Sequence, residues 1–127
     1  MLKELFYSAE EPRPYKKEWT FKPEWMLTGL NTPVCVQLLV DKPEYTVGKN
    51  DENDGSLWFN KLVSGKHAVL RCGENGLTVE DLQSTNGTLI NGSYIRPHEP
   101  MKLKDGDRLQ IATSYFLVEK VRAEERK

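Results

Sequence analysis

The sequence predicts an all-β fold, a sandwich of two packed sheets, and three observations support this prediction. Short segments in which apolar and polar residues alternate recur between residues 33 and 120, most clearly in Arg108–Ala112. Turn-forming residues separate these segments about every ten residues, and Asn75-Gly76 and Asn91-Gly92 are the strongest hairpin signals. No segment before residue 120 has the period of an amphipathic helix. This pattern is typical of a β-sandwich.

The predicted strands define one domain over residues 33–120, with an extension before it and a charged tail over residues 121–127. About ten strands are expected: Val34–Val40, Glu44–Val47, Ser56–Phe59, His67–Cys72, Leu77–Asp81, Thr88–Ile90, Ser93–Ile95, Met101–Leu103, Arg108–Ala112 and Tyr115–Lys120. Residues 1–32 are expected to form a partly irregular extension, because residues 10–17 are rich in proline and charge. Its aromatic residues, among them Trp19 and Trp25, indicate packing on the sandwich, on a neighbouring domain or on a partner.

Composition and charge argue against several classes of protein. The chain has 127 residues, of which 38% are hydrophobic and 29% charged, enough for the core of one domain. It has no apolar run long enough to span a membrane and no signal-peptide pattern at its start, so a cytoplasmic location, or a nuclear one in a eukaryote, is expected. The net charge of −1, without clustered cations and aromatics, argues against nucleic-acid binding.

Cysteine and histidine usage predicts neither a metal site nor a cofactor. Cys35 and Cys72 are too far apart for a CxxC motif, and both fall in strand-like segments. Buried free thiols are therefore expected, with a disulfide across the sandwich as the alternative. His67 and His98 have no partners at metal-ligand spacing.

Two polar clusters at predicted strand ends are the candidate functional site. Ser64-Gly65-Lys66-His67 leads into one strand, Ser84-Thr85-Asn86-Gly87-Thr88 leads into another, and Val47-Gly48-Lys49-Asn50 lies just upstream. Hydroxyls, amides, backbone N–H groups and lysines on a rigid scaffold are suited to binding an anion. An enzyme is not predicted, because the Ser64/His67 pair has no third orienting group and no nucleophile-elbow sequence around it.

Taken together, these residues resemble the forkhead-associated (FHA) domain family over residues 33–120. The marks of the resemblance are Gly48 after a strand, Ser64-x-x-His67, Asp81-x-x-Ser84-x-Asn86-Gly87-Thr88, Asn91-Gly92 and Leu103-x-Asp105-Gly106-Asp107-x-Leu109. The resemblance implies an FHA-type sandwich of about eleven short, mostly antiparallel strands. It also implies a module whose apical loops bind a threonine-phosphorylated protein or peptide within a signalling or scaffold protein.

The resemblance also implies a role for individual residues. The Ser64 hydroxyl and the Thr85 side chain would contact the phosphate, and the Asn86 amide would bind the peptide main chain. Apart from the resemblance, the charge of Lys66 suggests a second cation at the rim of the site.

Three further residues are expected to support the loops rather than to touch ligand. The His67 ring would brace the loops by bonding to their backbone. Gly48 and Gly87 would be required for backbone reasons, which are a positive φ or close packing.

Two departures from the family pattern leave an alternative open. Lys49 stands where most family members have arginine, which keeps the charge but loses the planar fork of donors. Gly65 stands where many members have arginine or asparagine, so only its backbone N–H remains as a donor. The alternative is an FHA fold with weak or absent phosphate binding that mediates phosphate-independent protein contacts.

Selectivity for residues beside the phosphothreonine is expected from the loops over residues 50–55 and 95–100. Arg96 and His98 are candidates for rim contacts there, or are simply solvated loop residues. Self-association is not indicated by the pattern, although a phosphorylated Thr20, Thr28 or Thr32 would allow it.

Overall fold

The computed structural model describes residues 21–121, and all the regular secondary structure in that range is β. Eleven strands follow one another: β1 Trp25–Gly29, β2 Gln37–Val40, β3 Glu44–Gly48, β4 Gly55–Ser56, β5 Ala68–Gly73, β6 Gly76–Asp81, β7 Thr88–Ile90, β8 Ser93–Tyr94, β9 Met101–Leu103, β10 Arg108–Ile111 and β11 Ser114–Lys120. No helix within residues 21–121 is long and apolar enough to cross a membrane.

The strands form two sheets that pack face to face. One sheet has six strands in the order β2-β1-β11-β10-β7-β8, and the other has five in the order β4-β3-β5-β6-β9. Neighbouring strands are antiparallel except for β3 and β4, which run parallel. The predicted all-β sandwich of about eleven mostly antiparallel strands is confirmed.

The core lies between the sheets and follows the alternation seen in the sequence. In β6 the inward positions are Leu77, Val79 and Asp81, and in β11 they include Phe116 and Val118. Burying a large apolar side chain of this kind contributes about 1.5–3 kcal/mol relative to leaving it exposed. The sheets are therefore held rigidly, and the loops at their ends are fixed in position.

The predicted boundary between extension and domain is wrong, because the sandwich begins at Trp25 rather than at residue 33. Strand β1 lies inside the six-stranded sheet, where it pairs with β11 on one side and β2 on the other. Trp25 and Leu27, two residues apart, are 6% and 0% exposed. Such a short alternation, next to a proline-rich segment, did not stand out as a strand. Residues 1–20 and 122–127, with Trp19 and Thr20, lie outside the described part of the chain.

Two predicted strands are shorter than expected by at least two residues, and one of them changes the expectation for the cysteines. Strand β2 starts only at Gln37, so Cys35 precedes it and is exposed, while Cys72 is half-buried and both thiols are free. Burial of Cys35 was therefore predicted wrongly. Strand β4 ends at Ser56, after which Leu57 is buried and Trp58 is 66% exposed.

Candidate functional site

Three loops that carry the predicted site residues meet at one end of the sandwich. The end of β3 pairs with the start of β5 through Val47 and Ala68, and Ala68 pairs in turn with Asp81 at the end of β6. Consequently the loop after β3, the loop before β5 and the β6–β7 loop leave the sheet at the same level. We call these the first loop (residues 49–54), the second loop (residues 57–67) and the third loop (residues 82–87).

Ser64 connects all three loops through its backbone and its hydroxyl group. Its carbonyl oxygen accepts a 2.9 Å hydrogen bond from the backbone N–H of Lys49 in the first loop. Its Oγ accepts a 3.0 Å hydrogen bond from the backbone N–H of Thr85 in the third loop. A hydroxyl that accepts such a bond still has its own proton to donate. Ser64 is thus oriented by the protein and keeps a donor for a ligand.

His67 is fully buried and links the second loop to the third. Its Nδ1 accepts a 3.0 Å hydrogen bond from the backbone N–H of Ser64. Because Nδ1 is an acceptor, Nε2 carries the ring proton and donates it to the carbonyl oxygen of Gly87, 2.9 Å away. This arrangement is that of a brace between loops, although the role itself remains a prediction.

The His67 ring is held in its neutral form. Burial lowers its pKa below the ordinary value of 6.5, against the opposing effects of the Gly87 carbonyl and Asp81. The 3.9 Å approach of Nε2 to Asp81 is therefore not an ion pair near neutral pH. Both ring nitrogens are directed at backbone groups, and the Ser64 Oγ bonds to Thr85 instead, so Ser64 and His67 do not have the geometry of a nucleophile and its base.

Asp81, the last residue of β6, orders the third loop through hydrogen bonds to its carboxylate. No role was predicted for this residue from the sequence. Its buried carboxylate accepts hydrogen bonds from the Ser84 hydroxyl at 2.6 Å, the Ser84 N–H at 3.0 Å and the Thr88 hydroxyl at 2.6 Å. Burial alone would raise the pKa of Asp81, but these hydrogen bonds outweigh it and hold the pKa below its usual value. Ser84 and Thr88 therefore face inward, and the expectation that the whole cluster points to solvent holds only for Thr85 and Asn86, which are exposed.

Asn86 joins the third loop to the second at the surface. Its Nδ2 donates a 2.7 Å hydrogen bond to the carbonyl oxygen of Leu62, and the side chain is exposed. A primary amide has a second N–H hydrogen and an acceptor oxygen besides. Asn86 is therefore fixed at one atom and able to bind a main chain with the others.

Both lysines of the site are exposed, and backbone hydrogen bonds tie Lys49 to its neighbours. The backbone N–H of Lys49 donates a hydrogen bond to the carbonyl oxygen of Ser64. The carbonyl oxygen of Lys49 accepts a 3.3 Å hydrogen bond from the Ser56 hydroxyl. Lys66 lies on the second loop, beyond Ser64. The structure brings Lys49, Ser64, Thr85 and Asn86 together, and the contribution of Lys66 stays a prediction.

Gly65 fits its position because the Asn50 side chain fills the space beside it. A Cβ atom at Gly65 would lie 2.8 Å from Nδ2 of Asn50. Gly48 is required by an even closer approach, since a Cβ there would lie 2.2 Å from the carbonyl oxygen of Gly65. Gly87 has φ of 88°, and a Cβ there would lie 2.5 Å from the Tyr94 ring.

Asn53 is a further residue of the site that the sequence reasoning missed. It is 7% exposed, and its Nδ2 donates to the carbonyl oxygens of Asn50 at 2.8 Å and Gly65 at 2.7 Å. One buried amide thus clamps the first loop to the second. The only signal in the sequence was an asparagine in a polar turn, three residues after Asn50, which is common chemistry for turns in general.

The remaining candidates lie beside the third loop or are already engaged in other contacts. His98 Nδ1 lies 3.6 Å from Glu80 on the outer face of the five-stranded sheet, and Arg96 is exposed.

Thr28 lies in β1 and donates a 2.7 Å hydrogen bond to Glu119, so a phosphate there would face a carboxylate. Thr32 donates to the carbonyl oxygen of Val34 at 2.6 Å. Within residues 21–121, no group of three or more possible ligands could hold a metal ion.

Comparison with known proteins identifies the family. Residues 45–112, just over half of the chain, match the family model of the FHA domain. The E3 ubiquitin-protein ligase CHFR of Xenopus tropicalis is 36% identical over 87 residues, which cover 67% of this chain and only 14% of that protein. This chain therefore corresponds to a small part of that relative.

Solved structures show the same fold. The FHA domain of CT664 from Chlamydia trachomatis has a TM-score of 0.70 at 25% identity, covering 78% of this chain and 99% of that one. The N-terminal FHA domain of S. cerevisiae Rad53p, solved in complex with a phosphothreonine peptide, has a TM-score of 0.68 at 20% identity and covers 81% of this chain and 98% of that one. The chain belongs to the FHA domain family.

Proposed function

We propose that this chain is a phosphothreonine-peptide recognition module, which makes protein–protein contacts that depend on phosphorylation. The single observation that carries the proposal is the position of Ser64. Its hydroxyl oxygen is fixed by the Thr85 N–H, its backbone holds Lys49 beside it, and its proton is left to donate. The partner is a threonine-phosphorylated protein or peptide, the class of ligand in the complex of the Rad53p domain.

The chemistry of the three loops suits a phosphate group. A phosphothreonine carries a charge of about −1.5 to −2 at neutral pH and three acceptor oxygens. The Ser64 and Thr85 hydroxyls donate to these oxygens, and the Lys49 ammonium neutralises part of the charge. The hydroxyls lie on loops braced by His67 and Asp81, so little conformational entropy is lost when the phosphate binds.

Asn86 binds the main chain of the peptide beside the phosphothreonine. Its exposed amide offers both a donor and an acceptor, which matches the N–H and C=O groups of an extended peptide. Such a contact sets the register of the peptide without reading its side chains. The side chains that flank the phosphothreonine must then be selected by other surfaces.

The phosphate-independent alternative rests on Lys49 in place of the usual arginine. A lysine keeps the charge but cannot form a bidentate pair, which weakens rather than removes phosphate binding. Gly65 removes one side-chain donor, but the structure still brings the Ser64 hydroxyl, Thr85 and the Asn86 amide together. We therefore favour phosphate-dependent recognition.

A peptide titration tests the proposal. The purified chain is titrated with degenerate pools of phosphothreonine, phosphoserine and unmodified peptides, and we expect binding to the phosphothreonine pool alone. Ser64→Ala abolishes that binding, whereas Ser93→Ala, which removes an exposed hydroxyl at the far end of the β7–β8 hairpin, leaves it unchanged. A folded wild-type sample that binds no pool, or binds all pools equally, refutes the proposal.

A further inference from the structure

Strand β2 lies at the edge of the six-stranded sheet, and within residues 21–121 its outer side pairs with no other strand. It pairs only with β1, its neighbour on the inner side. Because the Gly29 N–H donates to the carbonyl oxygen of Val36, alternate residues from Val36 onward direct their backbone groups at β1. The N–H and C=O groups of Gln37 and Leu39 therefore point away from the sheet, where another strand could pair with them.

The other three sheet edges are protected in ways that β2 is not. Strands β4 and β8 are only two residues long, which limits what they can pair with. Strand β9 contains Lys102 and is followed by Lys104, and lysines on an edge strand discourage pairing. Residues 34–40, in contrast, contain no charge, proline or glycine, and Leu39 is 37% exposed. An uncharged, apolar edge of this kind is a site at which a further strand is added.

The sequence around β2 is symmetric about Leu38, which favours a second copy of the same strand as the added one. Pro33 and Pro43 lie five residues on either side of Leu38, so antiparallel pairing centred there ends at a proline in both directions. In that register Val36 lies opposite Val40 of the second copy, and Leu38 lies opposite its own counterpart. Leu38 is half-buried against the core, so its counterpart covers the part that water reaches.

We propose that this chain forms a dimer in which β2 pairs antiparallel with β2 of a second copy, centred on Leu38. Gln37 of one copy then lies opposite Leu39 of the other, and these are the residues whose backbone groups face outward. Each such pair exchanges both of its N–H···O=C hydrogen bonds, and the twofold axis repeats the exchange. The sequence pattern did not indicate this contact, since it does not report which strand lies at an edge.

This contact goes beyond the proposed function and does not require a phosphate. Because the two β2 strands run in opposite directions, the ends that carry the three loops point in opposite directions as well. The two proposed phosphothreonine sites of a dimer therefore face two separate partner molecules, and the dimer joins these molecules to each other.

Charged side chains at positions 37 and 39 test both the dimer and its register. Both positions are exposed on the outer face of the sheet, so substitutions there leave the core intact. In the variant Gln37→Lys/Leu39→Lys each lysine lies opposite a lysine of the second copy, and we expect the dimer dissociation constant to rise about tenfold or more. In Gln37→Lys/Leu39→Glu each lysine lies opposite a glutamate, and we expect a value within about threefold of wild type.

Sedimentation velocity of the full chain over a concentration series, without any phosphopeptide, measures these dissociation constants. Ser93→Lys places the same charge on β8, the opposite edge of the same sheet, and should dimerise as wild type does. Circular dichroism checks that all variants keep the β fold.

Three outcomes would overturn the inference. One is a wild-type chain that stays monomeric at several hundred micromolar. Another is equal dimerisation by the two double variants, because position 37 then does not lie opposite position 39. The third is a monomeric wild type that dimerises only when residues 1–20 are removed, which would mean that this segment covers β2. A dimer that binds no phosphopeptide would refute the proposed function and leave this inference standing.

Discussion

The clamp formed by Asn53 gives the sharpest prediction, because two substitutions there should have very different effects. In Asn53→Ala the two hydrogen bonds to Asn50 and Gly65 are lost, each worth about 1 kcal/mol net. Neither carbonyl oxygen is left without a donor, since Gly65 O also accepts from the Asn50 N–H and Asn50 O from the Asn53 N–H. The substitution also removes Oδ1, a buried atom that has no hydrogen-bond partner in the described part of the chain, and this offsets part of the loss in stability. We expect Asn53→Ala to lower the free energy of unfolding by about 1–2 kcal/mol.

Asn53→Asp should be much more harmful although it changes a single group. The substitution replaces the donor that faces two carbonyl oxygens, at 2.7 and 2.8 Å, by a carboxylate oxygen. A buried, unpaired charge against two acceptors has nothing to offset its desolvation, so we expect a loss of about 3 kcal/mol or more at pH 7. Burial raises the pKa of such a carboxyl in the folded state, so the penalty is present at pH 7 and shrinks as the pH falls toward the unfolded value of about 4.

Urea denaturation at pH 7 and pH 4.5, with wild type as the reference at each pH, measures both variants. Peptide titration of Asn53→Ala adds a second readout, since loosening the first loop should weaken phosphopeptide binding more than the change in stability alone would. Equal destabilisation by alanine and aspartate, or an Asn53→Asp penalty that does not depend on pH, would refute the assignment of donor and acceptors at this clamp.

Three further predictions concern the same end of the sandwich. Lys49→Arg should bind a phosphothreonine peptide about tenfold more tightly, as measured by calorimetry, because arginine pairs with phosphate through two donors. No gain in affinity would show that the residue at this position does not form a bidentate pair with the phosphate. Burial lowers the pKa of folded His67, so the unfolded chain takes up the proton first, and stability should fall as the pH drops below 6.5. Denaturation between pH 7 and 5 should show this slope in wild type and a weaker one in His67→Gln, and identical slopes would contradict it. Gly87→Ala and Gly92→Ala meet the same φ of 88°, but only at Gly87 does a Cβ meet a neighbour, the Tyr94 ring. Gly87→Ala should therefore lower the melting temperature more than Gly92→Ala, and equal effects would mean that the ring moves aside freely.

The sequence predicted those parts of the fold in which local pattern and tertiary packing agree. Strands such as β6 and β11 alternate over six or seven residues, so their buried faces could be recognised without knowing their partners. Strand β1 could not be recognised in the same way. Its five residues owe their strand conformation to pairing with β11 and β2 on either side, which no local pattern reports.

At the site, the positions of exposed donors could be predicted, but the network that orients them could not. Ser64, Thr85 and Asn86 were assigned from family resemblance, and the structure brings them together. The clamp by Asn53 and the inward hydrogen bonds of Ser84 and Thr88 depend on contacts between loops that are distant in sequence. An asparagine or serine in a polar loop has the same local pattern whether it faces ligand, solvent or the core.

The pairing of β1 with β11 has a mechanical consequence. Trp25, where the sandwich begins, pairs with Lys120, where it ends, and the Val121 N–H closes this pair on the Glu24 carbonyl oxygen. The chain therefore enters and leaves the sandwich side by side, at the end opposite the three loops. Tension applied through the two flanks would open the β1–β11 ladder like a zipper, one hydrogen bond at a time, instead of shearing all of them at once. We expect the domain to yield at low force when pulled from its flanks and to resist more strongly when pulled between one flank and the ligand end.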